Sequence, residues 1–271
     1  MSDCSEWELW ALRLGSVDRA ARDNFLIPRD RTGTMQLDFT MWVARCGGRI
    51  VAIDTGFAEA AATRRNRVMD IRPAQAVQRL GIAPEAVDTV VITHLHYDHA
   101  GNLGDFPSAQ IVIQAQELSF VSGSSMRHPA LNHFFELDDI ADMVRRTHAG
   151  QVRVVDGDVE VAPGLQVCLI GGHTRGLQVV RVHTARGWVV LASDALHYYE
   201  NLNERNPFPA IVDLAQMLDG YDRILDLAES PDHVIPGHDP VVFDRYQRDD
   251  SSLPRGVVAL HYSPRQEQQT Y

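Results

Sequence analysis

The sequence has few cysteines, and their spacing matches no familiar metal or disulfide pattern. Cys4, Cys46 and Cys168 are the three cysteines among 271 residues, and none forms the Cys-x-x-Cys pair of a thiolate zinc site. An odd and sparse set predicts no disulfide framework. Cys46 and Cys168 lie in strand-like runs, where we expect small buried apolar residues. These features argue against a disulfide scaffold and against a zinc finger.

Basic residues are also fewer than acidic residues. The chain has 25 Lys and Arg against 36 Asp and Glu, which gives a formal net charge of −11. Proteins that bind nucleic acid usually present a basic face, so we predict no nucleic-acid partner. The one dense basic run, residues 64–67, is interpreted as a solvated turn or helix face.

Long apolar runs are absent as well. None reaches the roughly 18 residues that a membrane span needs, and residues 1–6 lack the basic and apolar regions of a signal peptide. We therefore predict a cytoplasmic protein with no membrane partner. A hydrophobic content of 45% and a charged content of 23% are typical of a globular protein.

The hydrophobic pattern predicts runs of strands with helices between them. Strand-like runs lie at residues 7–14, 35–46, 49–54, 89–93, 110–114, 151–155, 165–170, 177–184, 187–192 and 233–235. Helical spacing occurs at 73–80, 136–147 and 210–228. Because strands and helices do not alternate simply, the pattern favours two sheets covered by helices over a doubly wound fold.

What the sequence does contain is a dense cluster of metal-binding residue types at the end of a predicted strand. Three histidines and an aspartate lie within six positions: His94, His96, Asp98 and His99. Imidazole and carboxylate groups bind borderline divalent metals such as zinc. Packing alone does not explain such a density of polar groups, so the run predicts a metal site.

Four more polar residues each follow an apolar run: Asp54, His173, Asp194 and His238. Taken singly, each is typical of an ordinary loop. Because strand ends join a rigid scaffold to loops, side chains placed there can converge on one cleft. The presence of both Asp98 and Asp194 favours two metal ions over one.

Taken together, this order of residues resembles the metallo-β-lactamase superfamily of hydrolases over residues 50–240. The resemblance implies an α+β fold, a four-layer αββα sandwich that forms a single domain over residues 1–271. It also implies two divalent ions, with zinc as the default and Mn, Fe or Co as alternatives for the same donors. A hydroxide that bridges the two ions would attack the carbonyl of an ester-like substrate.

The resemblance also assigns a role to each polar residue. One ion would be bound by His94, His96 and His173. The other would be bound by Asp98, His99 and His238. Asp194 would bridge both ions, and Asp54 would orient a ligand histidine from behind.

Four local strings narrow the resemblance to the N-acyl homoserine lactonase family: residues 54–57, 93–102, 172–174 and 193–195. This implies opening of a lactone, either an acyl homoserine lactone or another cyclic ester, with a quorum-quenching role. The partner would be a small-molecule substrate, and members of the family are often homodimers. Hydrolysis of a thioester or phosphodiester at the same site is the alternative. Metal binding without turnover is a third interpretation.

One position departs from that family, whose members carry a tyrosine three residues after the bridging aspartate. Here the residue is His197, followed by Tyr198 and Tyr199. The candidate catalytic residues are therefore Asp98 as general acid, together with these three.

Residues 115–150 are expected to form an insertion that covers the metal edge. The predicted apolar pocket residues, for which core packing is the alternative, are Phe57, Tyr97, Phe120, Met126, Phe134 and Phe135.

Overall fold

Two sheets form the centre of the molecule, for which a computed structural model describes residues 4–246 and 253–265. The first sheet has seven strands in the order β12-β1-β2-β3-β4-β5-β6. These are β1 (Glu8–Ala20), β2 (Thr34–Cys46), β3 (Arg49–Ile53), β4 (Thr89–Val91), β5 (Gln110–Gln114), β6 (Val152–Val155) and β12 (Val257–Ala259).

The second sheet has five strands in the order β11-β10-β9-β8-β7. These are β7 (Val159–Ala162), β8 (Leu165–Leu169), β9 (Gln178–Thr184), β10 (Gly187–Ser193) and β11 (Val234–Pro236). The described α-helices are α1 (Glu59–Arg65), α2 (Pro73–Gln78), α3 (Ala115–Val121), α4 (Pro129–Asn132), α5 (Leu137–His148), α6 (Tyr199–Asn203), α7 (Leu214–Leu227) and α8 (Val241–Tyr246). Across the described ranges, no helix has the length and apolarity needed to cross a bilayer.

Alternation along the strands produces the layers. In β2, Phe39 and Met41 face the core beneath the outer helices, whereas Trp42 faces the core between the two sheets. A third core forms where Met217 and Tyr221 of α7 pack on the second sheet. Because each sheet buries both faces, the molecule has four layers, and the predicted αββα sandwich is confirmed.

Parallel strand pairs place the predicted site residues at one edge. β3 and β4 are parallel neighbours in the first sheet, and β10 and β11 are parallel neighbours in the second. The carboxyl ends of parallel neighbours lie at the same edge of a sheet. Asp54 and His94 therefore leave the first sheet together, and Asp194 and His238 leave the second sheet together.

Some elements were not predicted. The pattern of residues 151–155 predicts a strand, which is β6. It does not predict that this strand pairs with β5 in the first sheet. β7 and β12 were missed because they are four and three residues long. So short a run carries too few residues to show an alternation.

The prediction that the cysteines form no disulfide is wrong for one pair. Cys4 and Cys46 are linked, with their Cα atoms 5.8 Å apart. The antiparallel register of β1 and β2 pairs Glu8 with Arg45, which brings the segment before β1 beside Cys46. Cys168 is a buried free thiol, as expected.

Candidate metal centre

The loops that follow β3, β4, β8, β10 and β11 bring the predicted polar residues together. Ligand atoms of one group lie within 4.8 Å of one another, and the same holds for a second group. The first group is His94, His96, His173 and Asp194, and the second is Asp98, His99 and His238. All seven are buried except Asp98, which is partly exposed. A third group, formed by Asp194 and His238 with the buried His197, meets the same distance condition.

Asp194 lies between the two groups. Its Oδ2 atom is 3.1 Å from Nε2 of His173 and 3.8 Å from Nε2 of His94. Its Oδ1 atom is 2.8 Å from Nε2 of His238 and 3.1 Å from Nε2 of His99. Each carboxylate oxygen therefore faces a different group, which is the arrangement that a bridging ligand requires.

The donors fit two divalent cations. Nε2 of His94 and Nε2 of His99 are buried and have no hydrogen-bond partner in the described structure. Buried polar atoms are normally satisfied, so two imidazole nitrogens without a hydrogen-bond partner that face the same carboxylate fit a site for a cation. A set of imidazoles and carboxylates suits Zn, Mn, Fe or Co.

The electrostatics favour the metal-binding protonation state at His94, His96 and Asp194, whereas at His99 and His238 the effect of burial is outweighed by the Asp194 carboxylate, which raises the pKa of both rings. Burial lowers the pKa of His94 and of His96 well below the usual value, and the neighbouring histidines lower it further. Both rings are therefore neutral, which is the form that binds a metal. Burial tends to raise the pKa of Asp194, but His197, His238 and His99 hold it well below the usual value, so the carboxylate is charged.

Hydrogen bonds behind the ligands fix the orientation of three rings. Nδ1 of His99 lies 2.8 Å from the Asp54 carboxylate, which also accepts from the backbone N–H of Thr93 at 2.8 Å. Nδ1 of His173 donates to the Ala210 carbonyl at 2.6 Å. Nδ1 of His238 donates to the Asp38 carbonyl at 2.7 Å. Because Nδ1 carries the proton, Nε2 of each ring is left to face the centre.

The backbone turns sharply where it enters the centre. Asp54 has a φ of +61° and Ser193 a φ of +45°, both in the left-handed region that non-glycine residues seldom occupy. Gly237 packs on Ser193 so closely that a Cβ atom there would lie 2.7 Å from the Ser193 carbonyl oxygen. A glycine at this position therefore lets the loops after β10 and β11 meet.

Glu117 of α3 was missed by the sequence analysis. Its buried carboxylate accepts hydrogen bonds from the Leu95 N–H at 2.9 Å, the Thr174 hydroxyl at 2.7 Å and the Gly176 N–H at 3.0 Å. It therefore connects the loop of His94 and His96 to the loop of His173. A glutamate in a helical stretch gives no sequence signal for such a role, since most face solvent.

His197 lies against the centre. Its Nε2 atom is 3.1 Å from Oδ2 of Asp194, and its ring stacks on Phe208 with the centroids 3.9 Å apart. Its Nδ1 atom is buried without a hydrogen-bond partner among the described residues. Burial lowers the pKa of His197 to about 3, so the ring is neutral at physiological pH.

The two tyrosines after His197 lie elsewhere. The Tyr198 hydroxyl donates to the Gln36 carbonyl at 3.2 Å, and the Tyr199 ring packs under the Arg245 guanidinium at 4.9 Å. Neither tyrosine lines the cavities beside the centre. The reason is that α6 begins at Tyr199 and the chain has already turned away.

Two adjoining cavities open beside the centre, with volumes of about 40 and 160 Å³. Tyr97 lines the smaller, Phe135 lines the larger, and Phe134 lines both. The other predicted pocket residues, which line neither of these cavities and pack against other parts of the protein, are Phe57, Phe120 and Met126.

The basic run at residues 64–67 is not simply solvated. Arg64 and Arg65 both pair with Glu136, just before α5. Arg67 lines the smaller cavity. The interpretation of this run as a solvated turn or helix face holds for Arg64 and Asn66, which are exposed at the end of α1, and is wrong for Arg65 and Arg67, which are partly buried.

Comparisons with known proteins show sequence and structural similarity. An N-acyl homoserine lactonase of Bacillus cereus is 30% identical over 147 residues, which cover 54% of this chain and 51% of that protein. A probable metallo-hydrolase of Mycobacterium bovis is 25% identical over 194 residues, with 64% and 62% covered. The chain thus matches about half the length of its lactonase relatives.

The fold is also shared with solved structures. A quorum-quenching N-acyl homoserine lactone lactonase superposes with a TM-score of 0.74 at 22% identity, covering 91% of this chain and 97% of that one. A dizinc quorum-quenching lactonase in complex with its product superposes with a TM-score of 0.68 at 16% identity, covering 88% and 89%. The family model of the metallo-beta-lactamase superfamily matches residues 40–238, a span that includes the whole cluster of ligands. This chain therefore belongs to the metallo-β-lactamase superfamily.

Proposed function

We propose that this protein is a dinuclear-metal hydrolase that opens a lactone ring. The observation that carries the proposal is the position of Asp194, whose two carboxylate oxygens face two separate groups of ligands. The names of the curated relatives, N-acyl homoserine lactonases, favour a lactone over other esters. A thioester or phosphodiester would use the same centre and is the alternative.

In this proposal the two groups of ligands each hold one ion, and Asp194 contacts both. Zinc is the ion proposed, because buried histidines and carboxylates are its usual donors. When bound, such ions generate a nucleophile from water near neutral pH and polarise the substrate carbonyl. Asp54 supports the centre by holding the His99 ring.

Asp98 is proposed as the general acid. It lines the smaller cavity, and its side chain is 12% exposed, so it can reach both the substrate and solvent. The oxygen of water bonds to the carbonyl carbon, and the ring C–O bond breaks. One proton goes through Asp98 to the leaving alkoxide, and the second is released from the new carboxylic acid. Each turnover therefore releases one proton to solvent.

His197 is proposed to take the place of the tyrosine found in related lactonases. Its neutral ring offers one N–H donor beside Asp194, where the carbonyl or leaving oxygen would lie. Stacking on Phe208 holds the ring in that orientation. A donor that is fixed before the reaction stabilises developing negative charge without further reorganisation.

Residues 115–150 are proposed to cover the centre. The Phe134 carbonyl accepts from the Tyr97 N–H at 2.9 Å, and Phe135 forms an isolated bridge with His96. The cavity volumes of about 40 and 160 Å³ are smaller than the roughly 300–1,000 Å³ of a pocket for a drug-sized ligand. We therefore expect small lactones to be preferred over lactones with long acyl chains.

The test is proton release from a panel of lactones, followed with a pH indicator. The panel contains γ- and δ-lactones and acyl homoserine lactones of increasing chain length, with zinc-reconstituted protein. Asp98→Asn should abolish release and retain part of the metal, whereas Asp244→Asn, an exposed change on α8, should have no effect. Activity of Asp98→Asn equal to wild type would remove Asp98 from the mechanism. Turnover of thioesters or phosphodiesters but of no lactone would establish the alternative.

A further inference from the structure

Two arginines line the cavities beside the metal centre. Arg19 lines both cavities, and Arg67 lines the smaller one with Tyr97 and Asp98. Within the described ranges, the hydrogen bonds of both guanidinium groups go to neutral acceptors, and neither group forms an ion pair with a carboxylate. Both positive charges therefore remain available to a ligand.

Arg19 is held rigidly near the proposed reaction site. It lies near the end of β1, where Nε donates to the Asn24 amide oxygen at 2.9 Å and Nη2 donates to the Asp23 carbonyl at 3.2 Å. Its guanidinium lies over Phe208, 5.0 Å from the ring centroid. Phe208 also stacks on His197, so the Phe208 ring lies in contact with both the positive charge of Arg19 and the proposed donor.

Arg67 leaves part of its guanidinium unsatisfied. Nη1 donates to the carbonyls of Arg65 at 3.1 Å and Asn66 at 3.4 Å. Its Nε atom is buried and has no acceptor among the described residues. A charged group whose donors are only partly satisfied is unfavourable, and an oxyanion in the cavity that Arg67 lines would accept from the donors that remain.

The protein neutralises nearby arginines but not these two. Arg64 and Arg65 share Glu136, and Arg72 pairs with Asp105. The carboxylates that line the two cavities in the described structure are Asp98 and Asp194, and both belong to the proposed metal ligands. Arg19 and Arg67 therefore face no carboxylate in the cavities other than the two that are proposed to hold metal.

We propose that Arg19 and Arg67 bind a carboxylate group of the substrate, so that the preferred substrate is a small lactone bearing an acid. This inference rests on the proposed lactonase function. A guanidinium matches a carboxylate with two parallel N–H donors, which gives orientation as well as affinity. The metal centre then takes the ring carbonyl while the arginines hold the acid at the other end. The small cavities favour a compact acid.

The experiment compares two γ-lactones that differ at the ring carbon beside the ring oxygen. One carries a carboxylate there and the other a methyl group. The measured quantity is the ratio of kcat/KM for the acid to kcat/KM for the neutral lactone. We expect wild type to favour the acid, and Arg19→Gln and Arg67→Gln each to lower the ratio roughly 10- to 100-fold.

Two further variants control the comparison. Arg67→Lys keeps the positive charge but cannot donate two parallel hydrogen bonds. Its ratio should therefore lie between those of wild type and Arg67→Gln. Arg49→Gln removes an exposed arginine at the start of β3 and should leave the ratio at the wild-type value. A ratio that is the same in wild type and in both Arg→Gln variants would overturn the inference while leaving the lactonase proposal standing.

A second measurement applies if neither lactone is turned over. Tetrahydrofuran-2-carboxylate is titrated into the metal-loaded protein by calorimetry. Affinity that falls at least tenfold in Arg19→Gln and Arg67→Gln would support the acid-binding role although the lactonase proposal had failed. Affinity that is independent of both arginines would overturn the inference.

Discussion

At the scale of single residues, the candidate centre depends on hydrogen bonds that fix three of its imidazole rings. His99, His173 and His238 have their Nδ1 atoms committed to Asp54, Ala210 and Asp38 respectively. His197 differs, because its Nδ1 atom has no hydrogen-bond partner in the described ranges and its Nε2 atom faces Asp194. It is therefore placed to act on a ligand.

His197→Phe should reduce kcat and leave metal content unchanged. Phenylalanine keeps the stack on Phe208 but removes the ring nitrogens, so the loss of one donor should lower kcat roughly 100-fold. His197→Tyr restores a hydroxyl donor and should retain more activity. The measurement is steady-state kinetics with zinc content determined in parallel, and His128→Phe is the exposed control. Wild-type kcat in His197→Phe would exclude the donor role.

Glu117→Gln should weaken metal binding without any change to a ligand. The amide places an N–H₂ group against one of the donors from Leu95, Thr174 and Gly176, which costs about 1–3 kcal/mol of folding free energy. The two histidine loops should then hold the zinc less tightly. Competition with a chelator and urea unfolding measure the two effects, and Glu85→Gln on the surface is the control. Unchanged zinc affinity would show that the loops are positioned by other contacts.

Residue types at strand ends could be predicted from the sequence because chemistry and position agree. His94 and Asp194 each follow an apolar strand, and both carry metal-binding groups. Arg19 and Arg67 could not be found in this way, since an arginine at a strand end or in a basic run is typical of a solvated surface. Their position in the cavity depends on tertiary contacts that lie far apart in sequence.

At the scale of elements, α5 carries a buried acid. Asp139 is 9% exposed, and its Oδ2 atom has no hydrogen-bond partner in the part of the chain that the structure describes. Burial raises the pKa of Asp139 to about 7, with Glu136, Asp138 and Asp142 adding repulsion and Arg64 partly offsetting it. The folded protein therefore holds a proton on Asp139 at a pH where the unfolded chain has lost it.

The contribution of Asp139 to the free energy of unfolding should consequently decrease as the pH rises from about 4 to about 7 and then level off. A pKa difference of about 3 corresponds to at most about 4 kcal/mol. Asp139→Asn should be more stable than wild type at about pH 8, and this advantage should shrink at about pH 5. Urea unfolding at the two pH values measures it, with Asp226→Asn as the exposed control. An equal effect of Asp139→Asn at both pH values would contradict this account.

Elements differ in how far the sequence predicts them. The run 110–114 coincides with β5, because a short run of β-branched apolar residues, from Ile111 to Ile113, lies between two glutamines. β6 was predicted as a strand but could not be assigned to a sheet, since its pairing with β5 joins segments separated by the whole of α3, α4 and α5. The sheet to which a strand belongs depends on such long-range pairing. The local hydrophobic pattern predicts only that a segment forms a strand.

At the scale of the whole molecule, both sheets contribute to the metal centre. His94 and His99 leave the first sheet, whereas His173, Asp194 and His238 leave the second. Bound ions would therefore connect the two sheets at one edge. The four-layer arrangement was predicted correctly from a resemblance, and local pattern alone predicted only two sheets with outer helices.

Zinc should raise the midpoint of thermal unfolding, because the complete set of ligands exists only in the folded protein. Free zinc at 100 times the dissociation constant corresponds to about 2.7 kcal/mol of added stability. Differential scanning fluorimetry across a zinc titration, with a chelator at the low end, measures the shift. His238→Ala should keep a smaller shift, since one group of ligands is intact. A midpoint that does not respond to zinc or to the chelator would contradict the proposed centre.

The order of the ligands along the chain has a consequence for biosynthesis. His94, His96, His173 and Asp194 have all been translated before α7 is made, whereas the second group stays incomplete until His238 has been added. A ribosome adds roughly 5–20 residues per second, and the nascent chain folds from its N-terminus. All residues of the first group are therefore synthesised several seconds before His238, so the proposed centre cannot be completed until the last part of the second sheet has been made.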